Sequence, residues 1–254
     1  MGDNVVTVEV CAGSVEDCVY AEKAGANRIE LNNAVHLGGL TPSLATLIEA
    51  KKLVDIPIVA MVRPRPGGFF YNNYEKMTIF TDAQLLIEQN VDGIVFGFLN
   101  PDRSVDADTT RALVDLCHKY GVEAIFHRAF DQTVDPYEAI KTLISCGVDR
   151  ILTSGQRASA NQGIELLNKL EKQYGEKIEI CVGAGVNKNN INTIIEETQI
   201  RQVHSSFKGW FEDPTTQSKN VSYRYSDDGD YEGVSLPKLY EFIELIQSLT
   251  RSSF

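Results

Sequence analysis

Nowhere does the chain contain the roughly 18 consecutive apolar residues that a membrane helix requires, so no spanning helix is expected. The opening residues, MGDNVVTVEV, lack the basic segment and apolar run of a secretory signal. Val6 stands where a myristoylation pattern needs Ser or Thr. No C-x-x-C occurs among the five cysteines, Cys11, Cys18, Cys117, Cys146 and Cys181. An odd count at wide spacing argues against a disulfide framework, and no zinc-ligand spacing is present. Free thiols in a reducing compartment follow, so a cytoplasmic location is expected. Basic charge is also short: 24 Lys and Arg against 35 Asp and Glu leave a net charge of -11. Without a basic excess to neutralise phosphates, a nucleic acid is excluded as the main partner.

What remains is ordinary for a globular protein: 43% hydrophobic and 23% charged residues in a chain of 254. Such a chain can bury a large core. Short β-branched runs alternate with amphipathic helical runs. Strands are predicted around Thr7 and over residues 27–31, 57–63, 92–98, 122–128, 148–154, 178–185 and 200–206. Helices are predicted to begin near Ser14, Ser43, Asp82, Asp106, Asp135, Gln162, Asn189 and Pro237. Eight strand-then-helix units imply a parallel sheet with helices outside. At this length they imply an α/β protein of the TIM (β/α)8 barrel type, a single domain over residues 1–254. A doubly wound open sheet is the alternative, but it usually has fewer units and a Gly-rich first turn, and here the first turn has only Gly13. Two connections exceed the usual 4–6 residues. They span residues 64–81 and 208–236, both follow strands, and both are therefore expected on the C-terminal face as lids or, for the second, as a mobile acidic insertion.

Alternate strand residues point into a barrel. The first strand divides into Val6, Val8 and Val10 on one face and Thr7, Glu9 and Cys11 on the other. The second divides into Ile29 and Leu31 against Arg28, Glu30 and Asn32. The helix side must be apolar, so Glu9 and Glu30 are expected inside on adjacent strands. A buried carboxylate must be paired or must neutralise. Closure places the eighth strand beside the first, bringing His204 toward Glu9. Arg63 ends the third strand, and His127 and Arg128 end the fifth, with Asp131 following. Strand exits are where barrel enzymes hold ligands, and a planar guanidinium suits a carboxylate or phosphate. Ser154 ends the sixth strand; Gly183 and Gly185 end the seventh, and Ser205 follows the eighth, where backbone N–H groups favour an anion. The same arginines could instead brace the barrel, and the histidines could be core residues.

The segments VEVCAGSVEDC, GANRIEL, GGLTPS, MVRPRPGGFFY, DGIVFGFL, FHRAFD, RILTSG, VGAGV and VHSS occur in the order seen in the CutC family, named for copper homeostasis. The chain resembles that family over about residues 5–206. The resemblance implies a TIM barrel, a cytoplasmic protein and copper(I) as a bound ion. It carries over Glu9, Cys11, Glu30, Arg63, Arg65, His127, Arg128, Asp131, Ser154, Gly185 and His204. The sequence departs from the pattern at Asn32, where family members often have Cys, at Gly68, where an acidic residue is usual, and at Ala184 in GAG. Copper(I) prefers thiolate and thioether ligands. Cys11 and Cys181 end strands on the ligand face and are the candidate metal ligands, with packed thiols as the other reading.

Two functions follow. One is a copper-binding homeostasis protein. The other is an enzyme of lyase, isomerase or hydrolase type acting on a small phosphate- or carboxylate-bearing substrate. In it Glu9 or Glu30, with His127 or His204, would move protons, and Arg63, Arg65 and Arg128 would hold the anion. A small-molecule sensor could use the same pocket. The expected partners are a copper ion or a small anion, with a homo-oligomer, a dimer, as the expected assembly.

Overall fold

The computed structural model describes residues 5–251; of the span 1–254 expected to form one domain, residues 1–4 and 252–254 lie outside the described residues. The barrel strands are β1 (Thr7–Ala12), β2 (Arg28–Leu31), β3 (Ile58–Met61), β4 (Gly93–Phe96), β5 (Glu123–Phe126), β6 (Arg150–Thr153), β7 (Glu179–Val182) and β8 (Gln202–Ser205). All are parallel and pair in chain order, and β8 closes on β1 with Glu9 opposite His204. The helices are α1 (Val15–Ala24), α2 (Leu44–Ala50), α3 (Asn73–Glu88), α4 (Ala107–Lys119), α5 (Pro136–Cys146), α6 (Ala160–Tyr174), α7 (Ile191–Thr198) and α8 (Leu236–Arg251). Among the described residues no helix is long and apolar enough to cross a membrane.

Period-2 alternation decides what faces where. Val8, Val10, Ile29 and Leu31 turn outward and are buried against the helices. Glu9 and Glu30 turn inward, each 3% exposed. The interior is divided. Val59, Met61, Val95 and Ile125 on β3, β4 and β5 form an apolar cluster of their own. The β1, β2, β6 and β8 side carries Glu9, Arg28, Arg150 and His204. Gly93 keeps the apolar half tightly filled, since a Cβ there would lie 2.7 Å from both Val59 Cγ1 and Ile125 Cδ1.

Two elements differ from the sequence expectation. Helix α3 begins at Asn73, not Asp82, because Asn72 and Glu75 form a reciprocal capping box. Its buried Ile79, Ala83, Leu86 and Ile87 keep helical spacing, a signal that the polar and aromatic residues before Thr81 obscured. The long connection after β8 is not a bare loop. Residues Lys208–Phe211 (β9) and Tyr231–Val234 (β10) pair antiparallel, with Glu232 opposite Trp210. One buried carboxylate ties this hairpin to the barrel. Asp17 Oδ1 accepts the Val234 N–H at 2.7 Å, and its Oδ2 accepts the Gly13 N–H at 2.9 Å. Tyr225, between the two strands, stacks on His36 from the β2–α2 connection.

Truncating Asp17 leaves two backbone donors without their acceptor, each worth about 1–3 kcal/mol when buried. Asp17→Ala is therefore expected to lower the free energy of urea unfolding by roughly that amount per donor. It should also speed tryptic cleavage at Lys219 and Arg224, which limited proteolysis followed by mass spectrometry would detect.

Candidate functional site

The polar half of the interior is built by strand register. Glu9 lies beside Arg28 on β2 and His204 on β8 in the ladder, and Arg150 lies beside Glu179. Arg28 Nε donates to Glu9 Oε2 at 2.5 Å, and its Nη2 donates to Gln202 Oε1 at 2.8 Å. Arg150, 1% exposed, donates to Glu123 Oε2 at 2.9 Å and sits 3.6 Å from Glu9 Oε2. His204 Nδ1 lies 2.8 Å from Glu9 Oε1 and 3.9 Å from Glu30 Oε2. Burial pushes the Glu9 carboxyl up, but the His204 bond and the Arg28 and Arg150 charges outweigh it and hold it well below the usual carboxylate range. Burial alone would deprotonate His204; Glu30, Cys11 and Glu9 reverse this and raise its pKa well above the usual imidazole range. Glu30 is raised, by burial first and by the neighbouring Glu9 charge.

Above this layer a cavity of about 410 Å³ opens at the C-terminal mouth. On the β1, β2 and β8 side, donor atoms of Cys11, Glu30 and His204 all lie within 4.8 Å of one another. Asn32, where relatives of the resembled family often carry a thiol, contacts two of them. Its Nδ2 donates to Glu30 Oε1 at 2.8 Å and approaches Cys11 Sγ at 3.5 Å. Burial, and the Glu30 and Glu9 charges, raise the half-buried Cys11 thiol against the opposing pull of His204.

On the β3 and β5 side stand Arg63, Phe69, His127 and Arg128. His127 Nδ1 accepts the Ala129 N–H at 3.0 Å, so the neutral ring carries its proton on Nε2. That buried Nε2 has no partner among the described residues. Gly97 makes room for the ring, because a Cβ there would fall 2.4 Å from His127 Cε1. Burial, reinforced by Arg63 and, less strongly, by Arg128, pushes the His127 pKa down to about 3. Arg63, 5% exposed, donates from Nη1 to the carbonyls of Leu37, Gly38 and Gly39 and from Nη2 to that of Gly67. Its guanidinium also lies 5.3 Å from the Phe69 ring centre.

The remaining predicted residues take varied places. Arg65 turns away from the cavity, ion-paired with Glu75 and bonded to the carbonyls of Gly68 and Phe70. Asp131 lines the cavity and also organises the β6 exit, accepting from Thr153 Oγ1, the N–H and hydroxyl of Ser154, and Gln156 N–H. Arg128 Nε donates to Asp131 at 2.8 Å and its Nη2 to Ser154 Oγ at 2.9 Å. Ser154 is buried behind this pair and is absent from the cavity wall. Gly183 packs under His204 and its N–H donates to Thr153. Gly185 and Ser205 line the cavity; the Ser205 hydroxyl is bonded to Val186 O. Cys181 is buried below the cavity, its thiol pushed up to about 12 by burial and by Glu9. Sequence reasoning passed over Arg150, although its inward parity on β6 was a usable signal. It also passed over Phe69, which no local pattern marks.

His127 supplies a pH signature with a definite sign. A histidine neutral in the fold but free to protonate when unfolded stabilises fully above the unfolded pKa near 6.5. That stability is lost as pH falls toward the folded value of about 3. Between pH 6.5 and 4.5 unfolding free energy should carry an extra slope of up to about 1.4 kcal/mol per pH unit. His127→Gln should remove that component in urea titrations across the range; an unchanged slope would mean the ring is charged in the fold.

A model of the CutC family matches residues 6–209. A family protein CutC of Treponema denticola is 42% identical over 245 residues, covering 96% of this chain and 99% of the relative. One of Xanthomonas campestris is 35% identical over 243 residues, covering 95% and 99%. Among solved structures, CutC of Streptococcus agalactiae, named for copper homeostasis, superposes with a TM-score of 0.75 at 30% identity, covering 80% of this chain and 99% of that one.

Proposed function

The chain belongs to the CutC family, and on that premise we propose that the cavity at the barrel mouth is its functional site and takes one copper(I) ion as cargo on Cys11, His204 and Glu30. The observation that carries this reading is the convergence of the three donor atoms within 4.8 Å, on adjacent strands whose register is set by barrel closure. The donor set suits the ion in part. Once the ion displaces the protons they carry, a Cys11 thiolate and a neutral His204 imidazole match a soft cation, and a carboxylate is a harder ligand. The thioether of Met61 borders the same cavity and adds to its soft character. Asn32 stands where a second thiol would complete a two-thiolate site, so the affinity is expected to be modest. Cys181 has no part in the reading, being packed beneath the cavity. The unpaired state of all five cysteines supports a reducing, cytoplasmic setting.

Competition titration against a strong copper(I) chelator, anaerobically and with reductant, tests the proposal. One ion per chain is expected. Cys11→Ser should weaken binding at least tenfold, and Asn32→Cys should tighten it by a similar factor through the added thiolate. Equal affinity in wild type and Cys11→Ser would remove the copper reading.

A further inference from the structure

We propose that the β3 and β5 side of the same cavity is a separate site for a small oxyanion, a phosphate or carboxylate group presented to His127 and Arg128 beside Arg63. The proposal is independent of copper, because none of these three residues belongs to the Cys11, Glu30 and His204 group.

Three observations converge on it. First, His127 is 4% exposed, lines the cavity, and holds its Nδ1 on the Ala129 N–H. Its Nε2–H is a buried donor with no acceptor among the described residues. Buried donors in native proteins are almost always satisfied, so an unsatisfied one on a residue that lines the cavity points to an acceptor supplied from there. Second, Arg63 is a buried cation without a counter-charge. Its four bonds go to neutral carbonyls, and among the described residues no carboxylate lies within 4.0 Å. Buried charges are normally paired, and Arg63 shares the cavity wall with His127. Third, Arg128 is already aimed. Its Nε and Nη2 are held by Asp131 and Ser154, while its side chain stays 42% exposed with Nη1 unbonded among the described residues. Asp131, the one carboxylate on this side among the described residues, accepts from four other groups besides Arg128 and offsets only one of the two arginine charges. The side therefore keeps an uncompensated positive charge and a neutral imidazole donor, which together favour an oxyanion over a cation.

The arrangement differs from a surface cluster of cations. The chain as a whole carries -11, so long-range steering works against anions and recognition must come from short contacts. The acidic Glu30 borders the cavity from its other side. A ligand carrying a single oxyanion group at one end is favoured over one that is anionic throughout, because its far end would meet that carboxylate.

Isothermal titration calorimetry of the metal-free protein, with chelator present and ionic strength held constant with sodium chloride, tests the site. Inorganic phosphate and acetate, each a single oxyanion group, are titrated separately. Saturable binding of one anion per chain is expected for at least one probe. Phosphate alone would point to a phosphate ester as the natural ligand, acetate alone to a carboxylate, and both to a general oxyanion site. The same probe should shift the His127 Nε2–H resonance in the 15N–1H spectrum of the ring. Arg128→Met should weaken binding at least tenfold, and Arg128→Gln, which keeps a donor but loses the charge, serves if the first variant does not fold. Absence of saturable binding and of the His127 shift with both probes would overturn the proposal. So would undiminished affinity in the folded Arg128 variant. Copper titrations on the same samples read the other side of the cavity, so failure of one site is distinguishable from failure of the other.

Discussion

An ionised Glu9 inside the barrel is the constraint around which the polar half of the molecule is arranged. A carboxylate in that position would neutralise unless its charge were met at close range. Arg28 and His204 reach it from the two neighbouring strands and Arg150 from across the interior. Each of these partners then needs its own acceptors. Gln202 and Glu123 supply them, and the network closes over β1, β2, β5, β6, β7 and β8. Removing one partner of such a network leaves the others buried and unpaired, which is more damaging than never having had the charge.

The ionic network occupies one side of the barrel while Val59, Met61, Val95 and Ile125 fill the other. This division has a consequence at the mouth. The floor of the cavity is rigid and charged under Cys11, Glu30 and His204, where donors can be held at fixed separations. Beneath His127 the packing is apolar and keeps the ring neutral, reinforced by Arg63. Two imidazoles in one cavity are thus driven in opposite directions, His204 toward the charged form and His127 toward the neutral one. The difference lies in their neighbours, carboxylates in one case and arginines in the other.

The connections at this end carry more structure than their length suggests. Arg65 braces the β3–α3 connection by bonding carbonyls of its own segment and the first turn of α3. The β9–β10 hairpin is held down by Asp17 and by stacking of Tyr225 on His36. It walls a second cavity of about 350 Å³ that shares Cys11, Val35 and Ser206 with the first. Access to the barrel mouth is therefore shaped by a segment that follows the last barrel strand.

Much of the fold and some of the site could be read from residue order. Eight strand–helix units, the inward Glu9 and Glu30, and the approach of His204 to Glu9 all follow from local periodicity plus closure, because a period of two decides which side chains face inward. The resemblance to the CutC family was legible in motifs such as GGLTPS and FHRAFD for the same reason: they are contiguous. Through-space partnership was not legible. Arg63 and Arg65 sit two residues apart and look alike, yet one lines the cavity and the other turns outward, because Arg63 reaches the Leu37–Gly39 carbonyls of the β2–α2 connection while Arg65 pairs with Glu75 at the start of α3. Arg150 finds Glu123 across strands 27 residues apart, and Val234 finds Asp17 across 217. Nor did composition separate the ordered hairpin from an acidic loop, since its pairing depends on strands nearly twenty residues apart. Strand identity and side-chain facing are local properties of the chain and were determined by the sequence itself. The partners of each buried charge, and so the character of each side of the cavity, were decided only when closure brought distant segments within hydrogen-bonding distance.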